Sequence, residues 1–518
     1  TNLVMFYLLG VLWVAVRYGR GPAALSAVLS VALFDFFFVQ PHFSFAVSDV
    51  QYLITFAVML IVGLVAGQLV ASQRHSAAQA RQREAHTRTL YEMARELGVA
   101  LLPEQVGEIS PRFLHASLGA GGRLWLPPDD DGPIVQDTDA DVVIVGSGFT
   151  GLATALFLAR EHGIRATVLA ANQAVWGCTS RNGGQGQNAS GRLYRSQWIA
   201  RWGKETALKL DAEIRSGFDT FKSLVAEFPE CEPQPGGHLY IAHREKKMEF
   251  LRNEAKVMRE VFGYDTRILS TAEVHARYVK DAETFGALHE PDGIGVHPLK
   301  LAFGYLRAAR KLGVKVHPAS PVIGFETRNG VHHLKTPGGT VRARAVGFAT
   351  GGYTSNGLHP SLDSKIMPIL SNSLVTRPLT PDELKATNFL THEVITDTRT
   401  LRFYYRLLPD NRVQIGSRSS ITGADAPNPK HMAVLVNGLH RKFPALKGIR
   451  IDYSWWGWVD VSHDMMPRIT QPDPRQTVFY ALGYGGNGVS FSAHAGRRMA
   501  QRIAGRTDKA FELPIYNS

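Results

Sequence analysis

Gly146, Gly148 and Gly151 stand at the spacing G-x-G-x-x-G in "VVIVGSGFTGLATALFLAREHG". Glycines so placed serve anion binding by the main chain, not bond-making by side chains. Gly146 permits a tight turn, Gly148 lets backbone approach a diphosphate, and Gly151 lets the next helix lie close to the strand. The helix start offers unpaired N–H groups and the positive end of a dipole. Ser147, Phe149 and Thr150 fill the remaining positions of this candidate site. A second block, "GCTSRNGGQ" (177–185), is rich in glycine and amides and holds Thr179, Ser180, Arg181, Asn182, Gly183, Gly184 and Gln185. A third glycine run holds Gly485, Gly486, Asn487, Gly488 and Val489. No acid–base residue is demanded by these patterns, so the catalytic residues stay unassigned. His463 and Asp464 have no nucleophilic serine motif beside them and read as structural. Cys178 and Cys231 form neither a disulfide framework nor a metal cluster; no metal is expected, and a reducing, cytoplasmic setting is.

The elements that must position these residues follow from pattern. Val142–Val145 reads as a short buried strand, the helix after it ends at Gly163, and 165–170 reads as a second strand. The slot that normally carries an acid for the ribose is Ala170. Asn172 or Gln173 is left to substitute, or ribose affinity drops by ~1.5–3 kcal/mol, one charged hydrogen bond. "AVGFATGGYT" (345–354) is an apolar strand ending in Thr350, Gly351 and Gly352; 478–500 reads as strand, glycine turn and helix. Residues 401–418 form two strands about the turn Pro409-Asp410-Asn411, with further strands in 236–243 and 451–462. Arg406 is a candidate for a substrate carboxylate through a two-pronged hydrogen bond. Tyr404, Tyr405, Trp456 and Trp458 are candidates to wall an ammonium group. Packing within the strands is the competing role for the four aromatics, and a surface or structural position for Arg406.

Together these motifs, over about 140–510, resemble the D-amino-acid-oxidase-like family of FAD enzymes, nearest to its gamma-glutamylputrescine oxidoreductases and related amine or amino-acid oxidoreductases. The resemblance implies that the 179–185 block contacts the flavin, that backbone around Val322 faces the adenine, that Thr350 and Gly351 form a second glycine crossing, and that Gly485–Val489 lie over the pyrimidine end. It implies FAD held without a covalent bond, although Cys178 sits in the flavin loop. It implies oxidation of a C–N bond in a small amine or amino acid by hydride transfer to flavin N5, with oxygen or a membrane quinone as acceptor. The fold class expected is α/β: a Rossmann-like FAD-binding part (~140–235, ~298–355, ~465–510) with an antiparallel β substrate part (~236–297, ~356–464).

What precedes residue 133 differs in kind. Residues 1–132 carry nine arginines, no lysine and ten acids, a balance of −1; the rest carries 48 basic and 35 acidic residues, +13. This shift reads as two sequences of separate origin joined near 132. The basic excess lacks runs with interleaved aromatics, so a nucleic-acid partner is not expected. Apolar segments 3–16, 23–39 and 52–71 predict an all-α membrane part of three helices (1–71), followed by a helical linker and truncated sensory domain (72–132). Arginine placement puts the catalytic part (133–518) on the cytoplasmic side. Thr1 begins inside an apolar run, which reads as loss of an N-terminal piece. "RYGRGPAALSAVLSVALFDFFFVQPHFSFAVSDVQYLITFAVML" and "LYEMARELGVALLPEQVGEIS" resemble the membrane region and linker of Kdp-type potassium-sensor histidine kinases, which have four spans. No phosphoacceptor module or kinase core follows, so kinase activity is not expected. Two alternatives stay open here: a membrane-tethered flavin redox sensor, and an accidental fusion with a non-functional sensor fragment.

Overall fold

The computed structural model describes residues 2–18, 20–38, scattered positions from 57 to 113, 131–420 and 426–517. The chain divides into two compact units, Thr1–Leu126 and Pro127–Ser518.

In the first unit, two apolar segments form the helices Asn2–Tyr18 and Arg20–Phe38. Val11 and Ala27 are buried, while Met5, Phe6, Leu9, Trp13, Leu25 and Leu33 are exposed. No helix among the described residues is long and apolar enough to cross a membrane. The second helix includes Arg20 and Asp35. The expected third span, 52–71, lies outside the described residues except for Ala57, Ile61 and Val65, which are helical.

The second unit is organised around the strand Thr138–Val145. Gly339–Phe348 and Thr167–Leu169 flank it, both parallel, and Lys315–His317 continues the sheet. The hairpin Gly324–Arg328/Val331–Thr336 and the pair Arg468–Thr470/Val478–Leu482 bring the sheet to eight strands. Val142 and Ile144 face a core with Leu152, Leu156 and Ala493. Val143 and Val145 face another with Leu334, Phe348 and Tyr480. A strand covered on both faces must be apolar without alternation, which is why "VVIV" shows none. The helix Phe149–His162 is buried from Phe149 to Leu158. It stops at Gly163, where φ is 69° and the N–H reaches Ala159 O.

The second sheet also has eight strands, in the order 451–462, 366–376, 413–420, 403–407, 394–397, 238–241, 287–290 and 267–269. It is not purely antiparallel as expected: Val394–Asp397 runs parallel to His238–Ile241. One face carries Leu239, Ile241, Ile395, Phe403, Tyr405, Leu407 and Ile415 into an apolar core with Leu435 and Leu439 of the helix Pro429–Lys442. Residues of opposite parity leave on the other face. A third, unforeseen sheet joins Gln185–Gln187, Gly293–Gly295 and Gln234–Pro235. The block read as a loop at 177–185 is partly ordered: Cys178–Arg181 makes one helical turn before that strand.

Lys442, fully buried, ties the second sheet to its helix. Its Nζ lies 3.1 Å from Asp281 and 3.2 Å from Asp397, with Arg399 paired to Asp397 and Glu283 beside it. Removing one partner of a buried cluster leaves carboxylates uncompensated, at ~3–5 kcal/mol. Lys442→Met is therefore expected to lower the urea midpoint of the second unit by an amount equivalent to about 3 kcal/mol or more. An unchanged midpoint would mean that the cluster contributes nothing to stability.

Candidate functional site

A cavity of about 430 Å³ opens beyond the ends of the strands Thr138–Val145 and Thr167–Leu169. Ligands of open α/β sheets collect there, past the carboxyl ends of the strands. Gly146 turns the chain with φ 110° and donates its N–H to Leu169 O at 2.8 Å. A Cβ on Gly146 would stand 2.5 Å from Ala349 O, and one on Gly151 would stand 1.8 Å from Gly146 O. Neither contact is possible, so both positions require glycine. The Phe149 N–H donates to Thr179 Oγ1 at 2.9 Å, which fastens the second glycine block to the helix start.

The cavity wall brings together Gly146, Ser147, Gly148, Phe149, Thr150, Ala170, Thr179, Arg181, Asn182, Gly183 and Gln185. It also includes Val322, Thr350, Gly351, Tyr404, Gly485, Gly486, Asn487, Gly488 and Val489. Ala170 is buried, with its N–H on His317 O and its C=O on Ser320 N, and Asn172 and Gln173 line the wall beside it. Several of these residues also hold the block itself in shape. Asn182 donates to the carbonyls of Cys178 and Thr179 and accepts from the Gly184 N–H. The Arg181 guanidinium stacks on Trp176 at 4.0 Å, and its carbonyl accepts from Trp455 Nε1.

Six predicted residues stand off the wall. Gly151 is used up in the helix–strand contact just described. Ser180 donates its hydroxyl to Trp176 O and Gly177 O within its own turn. Gly184 is clamped to the third sheet, its C=O accepting from Val296 N–H. Tyr405 lies one residue from Tyr404 and so on the opposite sheet face, fully buried, with its hydroxyl donating to Asp281. Trp456 is 38% exposed, and Trp458, two residues on, lines the wall instead. Arg406 is corrected most. It shares Tyr404's parity but is roofed over: its guanidinium donates to Gly183 O (3.1 Å), Gln414 Oε1 (3.3 Å), Gln234 Oε1 (2.6 Å) and Val296 O (2.7 Å). Burial pulls it down to about 10, still a cation at neutral pH. Buried and off the cavity wall, the guanidinium does not face a substrate carboxylate there; Arg406 pins the 177–185 block to two sheets.

The sequence reading missed the polar face opposite. His238, Tyr240, Glu290, Thr396 and Arg402 line the cavity, as do Arg192 and Tyr194 from the segment after the third sheet's first strand. Alternation within "GGHLYIAH" was the only local signal for them. Asp460 is buried at the wall and accepts from the Gly483 N–H at 2.6 Å; burial raises its carboxyl above the usual range against that bond. Burial, with Asp460 nearby, pushes the Cys178 thiol up to about 12, so it stays protonated at neutral pH. Ser190 Oγ, Trp198 Nε1, Arg402 Nε and Ser492 Oγ are buried at this wall with no hydrogen-bond partner among the described residues. Buried polar atoms are normally satisfied, so these fit a polar ligand.

Comparison with known proteins agrees with this geometry. Residues 141–502 match the family model described as FAD dependent oxidoreductase, and residues 1–83 match a domain of unknown function (DUF4118). The gamma-glutamylputrescine oxidoreductase of Escherichia coli (strain K12) is 32% identical over 390 residues, covering 74% of this chain and 88% of that protein. The first residues are similar to the sensor protein KdpD of the same organism, 50% identical over 133 residues, 26% of this chain and 15% of that protein. Glycine oxidase from Geobacillus kaustophilus shares the fold with a TM-score of 0.62 at 20% identity, covering 73% of this chain and 98% of that one.

The corrected role of Arg406 is open to test. An ammonium cannot reach four spread acceptors as a guanidinium fork does, and each acceptor left buried and unpaired costs ~1–3 kcal/mol. Arg406→Lys is expected to lower the thermal midpoint and weaken FAD retention about tenfold or more in a fluorescence titration, without changing the half-saturating substrate concentration. A rise in that concentration alone would return Arg406 to the substrate site.

Proposed function

This chain belongs to the FAD-dependent oxidoreductase family, and on that footing we propose that it oxidises the carbon–nitrogen bond of a small amine or amino acid. One observation carries the reading. The glycine turns and the polar face of the second sheet line a single cavity, so dinucleotide and substrate would share one enclosure. The bound flavin supplies the hydride acceptor; the protein supplies position and electrostatics. The turn at Gly146–Gly148 and the helix start at Phe149 would hold the diphosphate, with the Thr179–Gln185 block and Gly485–Val489 closing on the ring system. The substrate end of the same wall carries the cations Arg192 and Arg402 and the carboxylates Glu254 and Glu290. That mixture suits a ligand with an ammonium group and a separate anionic group, in keeping with the relative named for gamma-glutamylputrescine. Retention without a covalent bond is supported by the protonated state of the Cys178 thiol.

The division of labour proposed is a catalytic part at 133–518 tethered to a membrane by the first unit, facing the cytoplasm, with oxygen or a quinone as acceptor. The exposed apolar faces of the two N-terminal helices and the likeness to the sensor protein support the tether. A flavin redox sensor is not favoured, since it would need no substrate enclosure of mixed charge.

Anaerobic titration of the full chain with a panel of mono- and diamines and amino acids tests the reading. Bleaching of the flavin by at least one amine is expected, and re-oxidation by oxygen against a soluble quinone then identifies the acceptor. Acid precipitation should leave the flavin in the supernatant. No bleaching by any member would contradict the proposed reaction, and flavin pelleting with the protein would contradict non-covalent retention.

A further inference from the structure

Most amines are ammonium ions at neutral pH, with pKa values near that of lysine, ~10.4. Hydride departure from the carbon needs the nitrogen lone pair, so a proton must leave the nitrogen as the hydride departs. We propose that Thr396, His238 and Glu290 form the relay that removes it; the proposal rests on the amine-oxidation reading above.

The three groups form one hydrogen-bonded line at the cavity wall. His238 Nδ1 lies 2.5 Å from Glu290 Oε2, and His238 Nε2 lies 2.7 Å from Thr396 Oγ1. All three residues line the cavity. The carboxylate fixes the tautomer: Nδ1–H donates to Glu290, so Nε2 carries a lone pair and accepts from the Thr396 hydroxyl. The Thr396 oxygen then has its own lone pairs left, and no other protein donor among the described residues reaches it. Its place suits contact with a substrate nitrogen. Thr396 is directly paired with Tyr404 across the strands, ~5 Å away in such a register. The Tyr404 ring packs against Gly183 of the flavin block, 2.7 Å from where a Cβ there would stand. Gln185 of the same block donates to Tyr405 O at 3.1 Å, on the strand paired with Thr396's own.

The proton step balances. An ammonium N–H bond breaks as its proton passes to Thr396 Oγ1, while the hydroxyl gives its original proton to His238 Nε2. The nitrogen keeps its electron pair, which the carbon draws on as the hydride departs. The new imidazolium is compensated by Glu290, and its proton leaves to solvent between turnovers. Thr396 is the group that touches substrate; His238 and Glu290 act through it. Around the dyad, Arg195 and His289 act on Glu290, Glu254 and Arg402 line the same cavity, and the Tyr240 ring lies 5.9 Å from the imidazole. Burial raises the Glu290 carboxyl, but the His238 bond and these charges outweigh it and keep it below its ordinary value.

The test is the rate of anaerobic flavin reduction as a function of pH for the full-length holoenzyme and its Thr396→Val and Thr396→Ser variants. At pH 7 only about one amine in 10³ is neutral, and a variant that cannot take the proton during hydride departure reacts through that fraction alone. Thr396→Val should therefore lose on the order of 10²–10³ in rate there, and the deficit should shrink about tenfold per pH unit towards the amine's own pKa. Thr396→Ser, which keeps the hydroxyl, should stay within a few-fold of wild type. A Thr396→Val deficit that is the same at every pH, or no deficit, overturns the relay, because a structural hydroxyl would affect all pH values alike. Where Thr396→Val does not retain flavin, His238→Gln gives the same comparison with Thr396 in place. Wild-type protein that no amine reduces would sink the oxidation reading and the relay with it; parallel profiles sink the relay alone.

Discussion

The main-chain oxygen of Gly146 stands 1.8 Å from where a side chain on Gly151 would begin. That approach fixes the fingerprint helix against the end of its strand and leaves the helix start facing the cavity. The second glycine-led helix, Gly488–Ile503, crosses the first at an equally bare position: a Cβ on Gly496 would be 2.7 Å from Thr150 O. Two helices whose N-termini line one cavity are thus locked to each other through glycine. Both dipoles then present their positive ends to the same space, the electrostatic condition for holding an anionic dinucleotide and a reduced flavin.

The other half of the cavity depends on a buried charge held chiefly by uncharged oxygens. Arg406 is buried and no carboxylate among the described residues pairs with it; four oxygens hold it in place. Those oxygens belong to the 177–185 block, the third sheet with Val296 beside it, and the second sheet. Desolvating a guanidinium this way is costly unless its hydrogen bonds are satisfied. The 177–185 block, the third sheet and the strands around Arg406 are therefore held together by one side chain. This gives the arginine a role in assembling the site instead of meeting the substrate.

How much of this was legible in the sequence depends on range. The turns at 146–151 and 485–489 are local, and glycine spacing declares them. Ala170 was likewise readable as a missing acid. Sheet faces are not local. Tyr404 and Tyr405 are adjacent and chemically alike, and only pairing with 394–397 and 413–420 decides which one meets the cavity. The same holds for Trp456 against Trp458. Thr396 and His238 are far apart in sequence and meet only because their strands run side by side, an association that no single-strand pattern encodes. At the N-terminus the apolar segments were legible as helices, and the two that the described residues cover, Asn2–Tyr18 and Arg20–Phe38, are helical.

The central claim is that the turn from Val145 into the helix at Phe149 carries the diphosphate of FAD. The most direct measurement is the visible absorbance of the full chain purified without added cofactor, then repeated after incubation with FAD and removal of the excess. The account predicts the two-band spectrum of an oxidised flavin in at least the second sample, at close to one flavin per chain. Protein that remains colourless after reconstitution would contradict it.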